Sequence, residues 1–190
     1  MLQTGHFPES WSEGYIVSVH KKGSIHCSEN YTGITLLSVL GKLFARVLNN
    51  RLGSWAQNYN VYIEAQVGFR SGMSTVDNIF VLHGVITHMI NQGKKLYCCF
   101  IDFSKAFDYV ERNTLWATLI KRGIRDKMLT VLKSIYSHVK SSVRFNNNLG
   151  NEFSCFLGFL QGESLSPFLF AMFLNDIEEH LILNGFNGLL

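Results

Sequence analysis

The nine residues Phe100-Ile-Asp-Phe-Ser-Lys-Ala-Phe-Asp108 set a carboxylate, Asp102, at the end of a nearly unbroken apolar and aromatic run, Lys95 to Ile101. Ligand sites in open α/β sheets lie at the carboxyl ends of strands, where the loops are free to vary. A hard oxygen donor in that place suits Mg²⁺, which is usually held by one or two carboxylates together with substrate phosphates. Aspartate is also a favoured turn residue, so Asp102 fits equally the cap of the turn after the strand. Asp108, further along, offers either a second carboxylate or a cap for a turn or the following helix.

A second stretch, Gly158-Phe-Leu-Gln-Gly-Glu-Ser-Leu-Ser-Pro167, combines two glycines with the carboxamide of Gln161. Glycines let a backbone approach a flat ligand closely, a carboxamide both donates and accepts, and Ser-Pro opens a helix. Alone, this is either a phosphate-type loop or a glycine-containing turn ahead of an amphipathic helix.

The elements that must position these residues are legible from periodicity. Tyr15 to His20 alternates and is β-branched, which predicts a strand, with Lys21-Lys22-Gly23 as the turn after it. From Ser38, a plausible N-cap, Leu40, Leu43, Phe44, Val47, Leu48, Leu52 and Trp55 recur at helical spacing. A second helix opens at Ser74 with Asp77 in the capping-box position, carries Val76, Phe80, Ile86 and Ile90 on its apolar face, and stops at Gly93. The run from Lys95 to Ile101 has the pattern of a strand buried on both faces, at the centre of a sheet. Helices are then expected from Asn113 to Lys121 and from Asp126 to His138. Ser141 to Phe145 and Phe153 to Phe156 should form a hairpin around Asn146-Asn-Asn-Leu-Gly150, and one last helix should run from Ser166, as cap, to about Leu183. This order gives an α+β or α/β domain.

Composition is that of a globular chain: 190 residues, 47% hydrophobic, 16% charged and only 2 Pro. The most apolar stretch, Pro167 to Leu174, falls short of the roughly 18 residues a spanning helix needs, so no membrane role is expected. No secretory signal opens the chain, which predicts an intracellular protein, nuclear or cytoplasmic. Cys27, Cys98, Cys99 and Cys155 form no C-x-x-C pair and are expected as reduced thiols. The net charge of +3 conceals a polarity: residues 105 to 144 hold 9 Lys/Arg against 3 Asp/Glu, whereas residues 145 to 190 hold none against 5. Such a basic block either attracts a polyanion, nucleic acid above all, or is a solvated helical face.

Five ordered blocks together are far more specific than any one. Ile16-Val-Ser-Val-His-Lys-Lys-Gly23, Asn30 to Leu43, Gln66-Val-Gly-Phe-Arg-Ser-Gly-Met-Ser-Thr-Val-Asp-Asn78, Ile101 to Asp108 and Gly158 to Phe170 resemble, in order and spacing, the reverse transcriptase domain of non-LTR (LINE-type) retrotransposons. The resemblance covers almost the whole chain. It implies an RNA-directed DNA polymerase with a right-hand architecture, residues 1–94 as fingers and 95–190 as a partial palm, working on an RNA template, a DNA primer and deoxynucleotides. By the same resemblance, Asp102 and the backbone carbonyl of Phe103 are ligands of the two-Mg²⁺ centre. Lys21 and Lys22 lie near the triphosphate. Phe107 is the steric gate beneath the sugar, or else a core aromatic. Gln161 and Gly162 lie along the template and incoming base, and Arg70 lies near the template strand.

Departures from the family pattern bear on activity. Where the family usually has Asn-Tyr-Arg-Pro-Ile, this chain has Asn30-Tyr-Thr-Gly-Ile34, and the hydroxyl of Thr32 cannot replace a bidentate guanidinium. Glu163-Ser164 stand at the usual Cys/Asp-Pro positions. No paired aspartates follow Pro167; the later acids are Asp176, Glu178 and Glu179, all placed on the final helix. The isolated chain is therefore expected to be inactive, needing further palm and thumb segments in cis or in trans. Two other readings are a non-catalytic nucleic-acid-binding module and a degenerate element copy.

Overall fold

The computed structural model describes residues 1–146 and 148–186. Asn147, in the predicted hairpin connection, and residues 187–190, at the end of the predicted palm, lie outside them. A mixed sheet carries the strands β1 (Glu13–His20), β2 (Tyr31–Leu37), β3 (Lys140–Phe145), β4 (Asn148–Leu149) and β5 (Phe153–Ser154). β1 pairs antiparallel with β2 from Gly14↔Leu37 to His20↔Tyr31, and parallel with β3 from Glu13↔Lys140 to Val17↔Arg144. β3 folds back antiparallel on β5, as the hairpin pattern predicts, and also on β4, which lies within the stretch expected as the connection. The sheet thus joins strands from both halves of the chain.

Helix α1 (Val39–Asn58) starts where Ser38 accepts a hydrogen bond from the Gly41 N–H. Its buried stripe is Gly41, Ala45, Leu48, Leu52 and Ala56, while Leu40, Leu43 and Val47 face outward. This rotation of the expected face follows from side-chain size. A Cβ at Gly41 would lie 3.3 Å from the Trp11 carbonyl and 3.5 Å from the Phe7 ring, so the small residues admit the N-terminal segment and larger ones cannot. Helix α2 (Thr75–Asn91) begins as predicted, with Asp77 accepting from both the N–H and the hydroxyl of Ser74. Its apolar residues Val76, Phe80 and Ile90 are nevertheless exposed.

Helix α3 (Arg112–Lys121) is capped by Glu111, whose carboxylate accepts from the N–H groups of Asn113 and Thr114 and is thereby held below the usual carboxylate range. Helix α4 (Asp126–Ser137) follows. The predicted final helix is two, α5 (Ser166–Leu174) and α6 (Ile177–Leu183). The break has a cause in Asn175. Its buried carboxamide accepts from the Ile63 N–H and donates to the Val61 carbonyl, while Arg122 donates to its backbone carbonyl, so this residue serves tertiary partners. Ser166 lies inside α5 rather than capping it, and its hydroxyl bonds to the Leu160 carbonyl and the Glu163 carboxylate. Leu48, Leu52, Leu115, Leu119, Leu132, Leu165, Leu169 and Met172 form the centre of the core between the helices. Among the described residues no helix is long and apolar enough to cross a membrane.

One expectation fails outright. Lys95 to Ile101 is neither a strand nor buried: it has no regular secondary structure, with Tyr97 87% and Phe100 82% exposed. A β-strand exists only through its ladder, and among the described residues none pairs with this segment, so its apolar character has nothing to pack on.

Candidate active site

The Gly158–Pro167 stretch is fastened on two sides. Gly158 N–H donates to the Val110 carbonyl and Phe159 N–H to the Phe107 carbonyl, while Thr35 N–H on β2 donates to the Gln161 carbonyl at 2.7 Å. Both glycines are required by this closeness. Gly158 (φ +70°) and Gly162 (φ +106°) adopt left-handed backbone, and a Cβ would fall 2.6 Å from the Phe107 and Asp108 carbonyl oxygens at the first and 2.8 Å from the Thr35 carbonyl at the second. Asp108 accepts from the Gln161 carboxamide at 3.1 Å, so its carboxylate orients that side chain.

The result is a pocket of about 420 Å³ that gathers Lys21, Phe103, Phe107, Gln161, Gly162 and Glu163 from three separated parts of the chain. The ammonium groups of Lys21 and Lys105, a carboxamide and aromatic rings around one pocket suit a charged, planar ligand such as a nucleotide. Phe107 lines this pocket and packs 4.9 Å from Phe170, with edge contacts to Phe159 and Phe69. Lys22 lies exposed on the neighbouring turn, outside the pocket lining. Asp102 is likewise exposed and outside that lining. Arg70 is placed elsewhere, 5.3 Å over the Tyr62 ring and 3.4 Å from the Gln57 carboxamide oxygen.

Part of the basic block is engaged within the fold. Arg112 is buried and donates to the carbonyls of Gly158, Tyr136 and Leu157. Lys121 and Arg122 pair with Asp176, Lys121 also with Glu179, and Lys140 pairs with Glu152. Burial would raise the Asp176 carboxyl, but Arg122 and Lys121 hold it below the usual range. Lys105, Arg125, Lys127 and Lys133 form no ion pair among the described residues.

Sequence patterning missed the environment of Glu163. This side chain is only 6% exposed, and one oxygen takes hydrogen bonds from the Tyr136 and Ser166 hydroxyls. Burial pushes the Glu163 carboxyl above its usual range, with those two hydroxyls opposing in part. The same burial, reinforced by Glu163, pushes the Tyr136 phenol up. The folded state thus holds a proton that the unfolded chain releases. This contribution to stability is full below the ordinary glutamate range and is lost as pH rises through the elevated folded value. Denaturant midpoints measured across that range should fall with rising pH, and Glu163→Gln should flatten the fall, since a carboxamide keeps an acceptor without the charge. A slope unchanged by the substitution would assign the dependence to other groups.

The chain matches the family model described as reverse transcriptase (RNA-dependent DNA polymerase) over residues 19–186. It is 33% identical over 181 residues to the probable RNA-directed DNA polymerase from transposon BS of Drosophila melanogaster, covering 93% of this chain and 20% of that protein. Against the corresponding protein from transposon X-element of the same species it is 30% identical, covering 94% and 20%. The Pol polyprotein of the type-1 retrotransposable element R2 of Popillia japonica is 27% identical, with 93% and 24% covered. The chain therefore spans about a fifth to a quarter of the length of these curated relatives.

Proposed function

Because the chain belongs to the reverse transcriptase (RNA-dependent DNA polymerase) family, we propose that it forms the fingers (1–94) and part of the palm (95–190) of a retroelement polymerase that copies RNA into DNA. The observation that carries this reading is the pocket in which Lys21, Phe103, Phe107, Gln161 and Gly162 meet, because side chains singled out from separate sequence motifs line one cavity. In it, Lys21, with Lys22 on the same turn, faces the triphosphate and offsets charge that develops there. Gln161, held by Asp108, and Gly162 lie along the base, Phe107 stands against the sugar, and Arg70 holds the template strand from the neighbouring surface.

The Asp102 carboxylate and Phe103 carbonyl are hard oxygen donors of the kind Mg²⁺ takes beside substrate phosphates. They are too few for two ions: among the described residues no three His, Cys, Asp or Glu side chains converge. A divalent ion, when bound, supplies Lewis-acid stabilisation of the transferring phosphoryl group. The exposed run from Tyr97 to Ile101 is the edge on which a further palm segment, in cis or in trans, builds its ladder.

Binding to RNA and to primer-template should be independent of sequence and fall steeply with salt. With about four phosphate contacts, from among Lys21, Lys22, Arg70 and the basic residues left unpaired, affinity drops roughly 100-fold between ~50 and ~200 mM salt. Filter binding over a salt series measures this, and an affinity flat with salt would defeat the reading.

A further inference from the structure

Two buried oxygens from distant parts of the chain share one small cavity. Ser12, between the 3-10 turn Glu9–Trp11 and β1, is 3% exposed, and Glu163, in the loop ahead of α5, is 6% exposed. Neither Ser12 Oγ nor Glu163 Oε1 has a hydrogen-bond partner among the described residues. Both residues line a cavity of about 10 Å³, whose other walls include Phe7, Leu37, Ile135 and Leu160. A polar atom orphaned in such surroundings costs more than a typical bond gains, so each of these oxygens calls for a partner. The second carboxyl oxygen of Glu163, Oε2, accepts from the Tyr136 hydroxyl at 2.8 Å and the Ser166 hydroxyl at 3.1 Å. The acid proton that burial retains therefore falls to Oε1, which becomes a donor in need of an acceptor.

We propose that Ser12 Oγ and Glu163 Oε1 hold a single water molecule between them, which fastens the segment ahead of β1 to the loop that carries Gln161 and Gly162. Size, bonding and charge each select water. About 10 Å³ is the lower bound of what one water needs and leaves no room for a larger ligand. Water accepts and donates at once, so it takes the acid proton and passes one of its own to the Ser12 hydroxyl, which meets the minimum of two polar partners. A metal cation would find only two side-chain oxygens here, too few for a hard ion that takes six or more. The site is particular to this chain, because Glu163 stands where the family usually has Cys or Asp. It does not depend on what the neighbouring pocket binds.

Magnetic relaxation dispersion of the solvent's oxygen nuclei counts water molecules held inside a folded protein. For the 190-residue chain that count should fall by about one molecule in Ser12→Val, whose methyl groups fill the cavity and bond to nothing. Glu163→Gln should keep the molecule, because a carboxamide N–H donates where the neutral acid does. Exchange of the Glu163 amide, which donates to the Leu160 carbonyl at 3.2 Å, should run roughly two- to tenfold faster in Ser12→Val, the worth of about one net hydrogen bond. An unchanged count in folded Ser12→Val, or a molecule lost in Glu163→Gln, overturns the site. Unchanged exchange in a variant that has lost the water overturns the fastening. Should Ser12→Val fail to fold, a crystal structure of the wild-type chain decides: a water within about 2.6–3.2 Å of both oxygens supports the proposal, and no such water where other buried waters are visible overturns it.

Discussion

Replacing Arg112 by methionine should cost about 3–5 kcal/mol of folding stability, a large share of the 5–15 kcal/mol typical of a domain. The guanidinium is 9% exposed and no carboxylate is bonded to it; its donors go to three backbone carbonyls, Tyr136 at 2.8 Å, Gly158 at 3.1 Å and Leu157 at 3.2 Å. The Tyr136 carbonyl belongs to the last turn of α4, where the helix dipole favours a cation and carbonyls lack intrahelical partners. The ring of Tyr136 adds a face for the guanidinium at 5.2 Å. Methionine fills much of the volume but leaves buried acceptors without donors, at about 1–3 kcal/mol each. Burial pulls the Arg112 guanidinium below its usual range, so its retention reflects the geometry of a fork that bonds three acceptors. Arg112→Lys keeps the charge but cannot span them and should fall between the two. Urea denaturation reads both variants, and a methionine variant with an unshifted midpoint would show that these bonds add nothing net. Because Gly158 opens the loop that carries Gln161 and Gly162, losing this clamp should also loosen the pocket those residues line.

The 190-residue polypeptide, given primer-template, deoxynucleotides and Mg²⁺ or Mn²⁺, should not extend a primer. One carboxylate cannot hold two divalent ions about 3.5–4 Å apart against their repulsion. Thr32, paired with Val19 in the β1–β2 ladder, adds a second deficit, since a hydroxyl cannot make the charge-assisted contact of an arginine. A longer protein that adds the paired-aspartate hairpin and thumb of the family should polymerise. In it Asp102→Asn should lower the rate ~100- to 1,000-fold or more, the scale of losing one preorganised transition-state contact. Extension by the 190-residue chain, abolished by the same substitution, would mean that Asp176, Glu178, Glu179 or a second chain completes the centre. A longer protein that binds primer-template but never extends it would favour the nucleic-acid-binding module over the polymerase.

Much of the local structure was readable in advance because its causes are local. Ser38 and Ser74 open helices through bonds within four residues of themselves, and the spacing of Gly158 and Gly162 reflects a backbone that passes too close to its neighbours for a Cβ. The ordered motifs gave the family and with it the mixed fingers-and-palm architecture, which the helices and five-stranded sheet match.

Other features depend on partners distant in the chain. The split between α5 and α6 is set by Asn175 reaching Val61 and Ile63, and Asp176, Glu179, Glu152 and three carbonyls engage Arg112, Lys121, Arg122 and Lys140, four of the nine cations of the basic block. Lys95 to Ile101 shows the same limit in reverse, since an apolar run states what would favour burial but a ladder needs a neighbour to supply it. By itself the sequence determined where most helices begin and which family the chain belongs to, because caps, periodicity and ordered motifs act over a few residues. Only the tertiary structure decided that Phe107 both packs and lines a pocket, that Asp108 orients Gln161, and that Glu163 is buried beside Tyr136, because these depend on which distant groups are left to satisfy a buried polar atom once the chain has closed on itself.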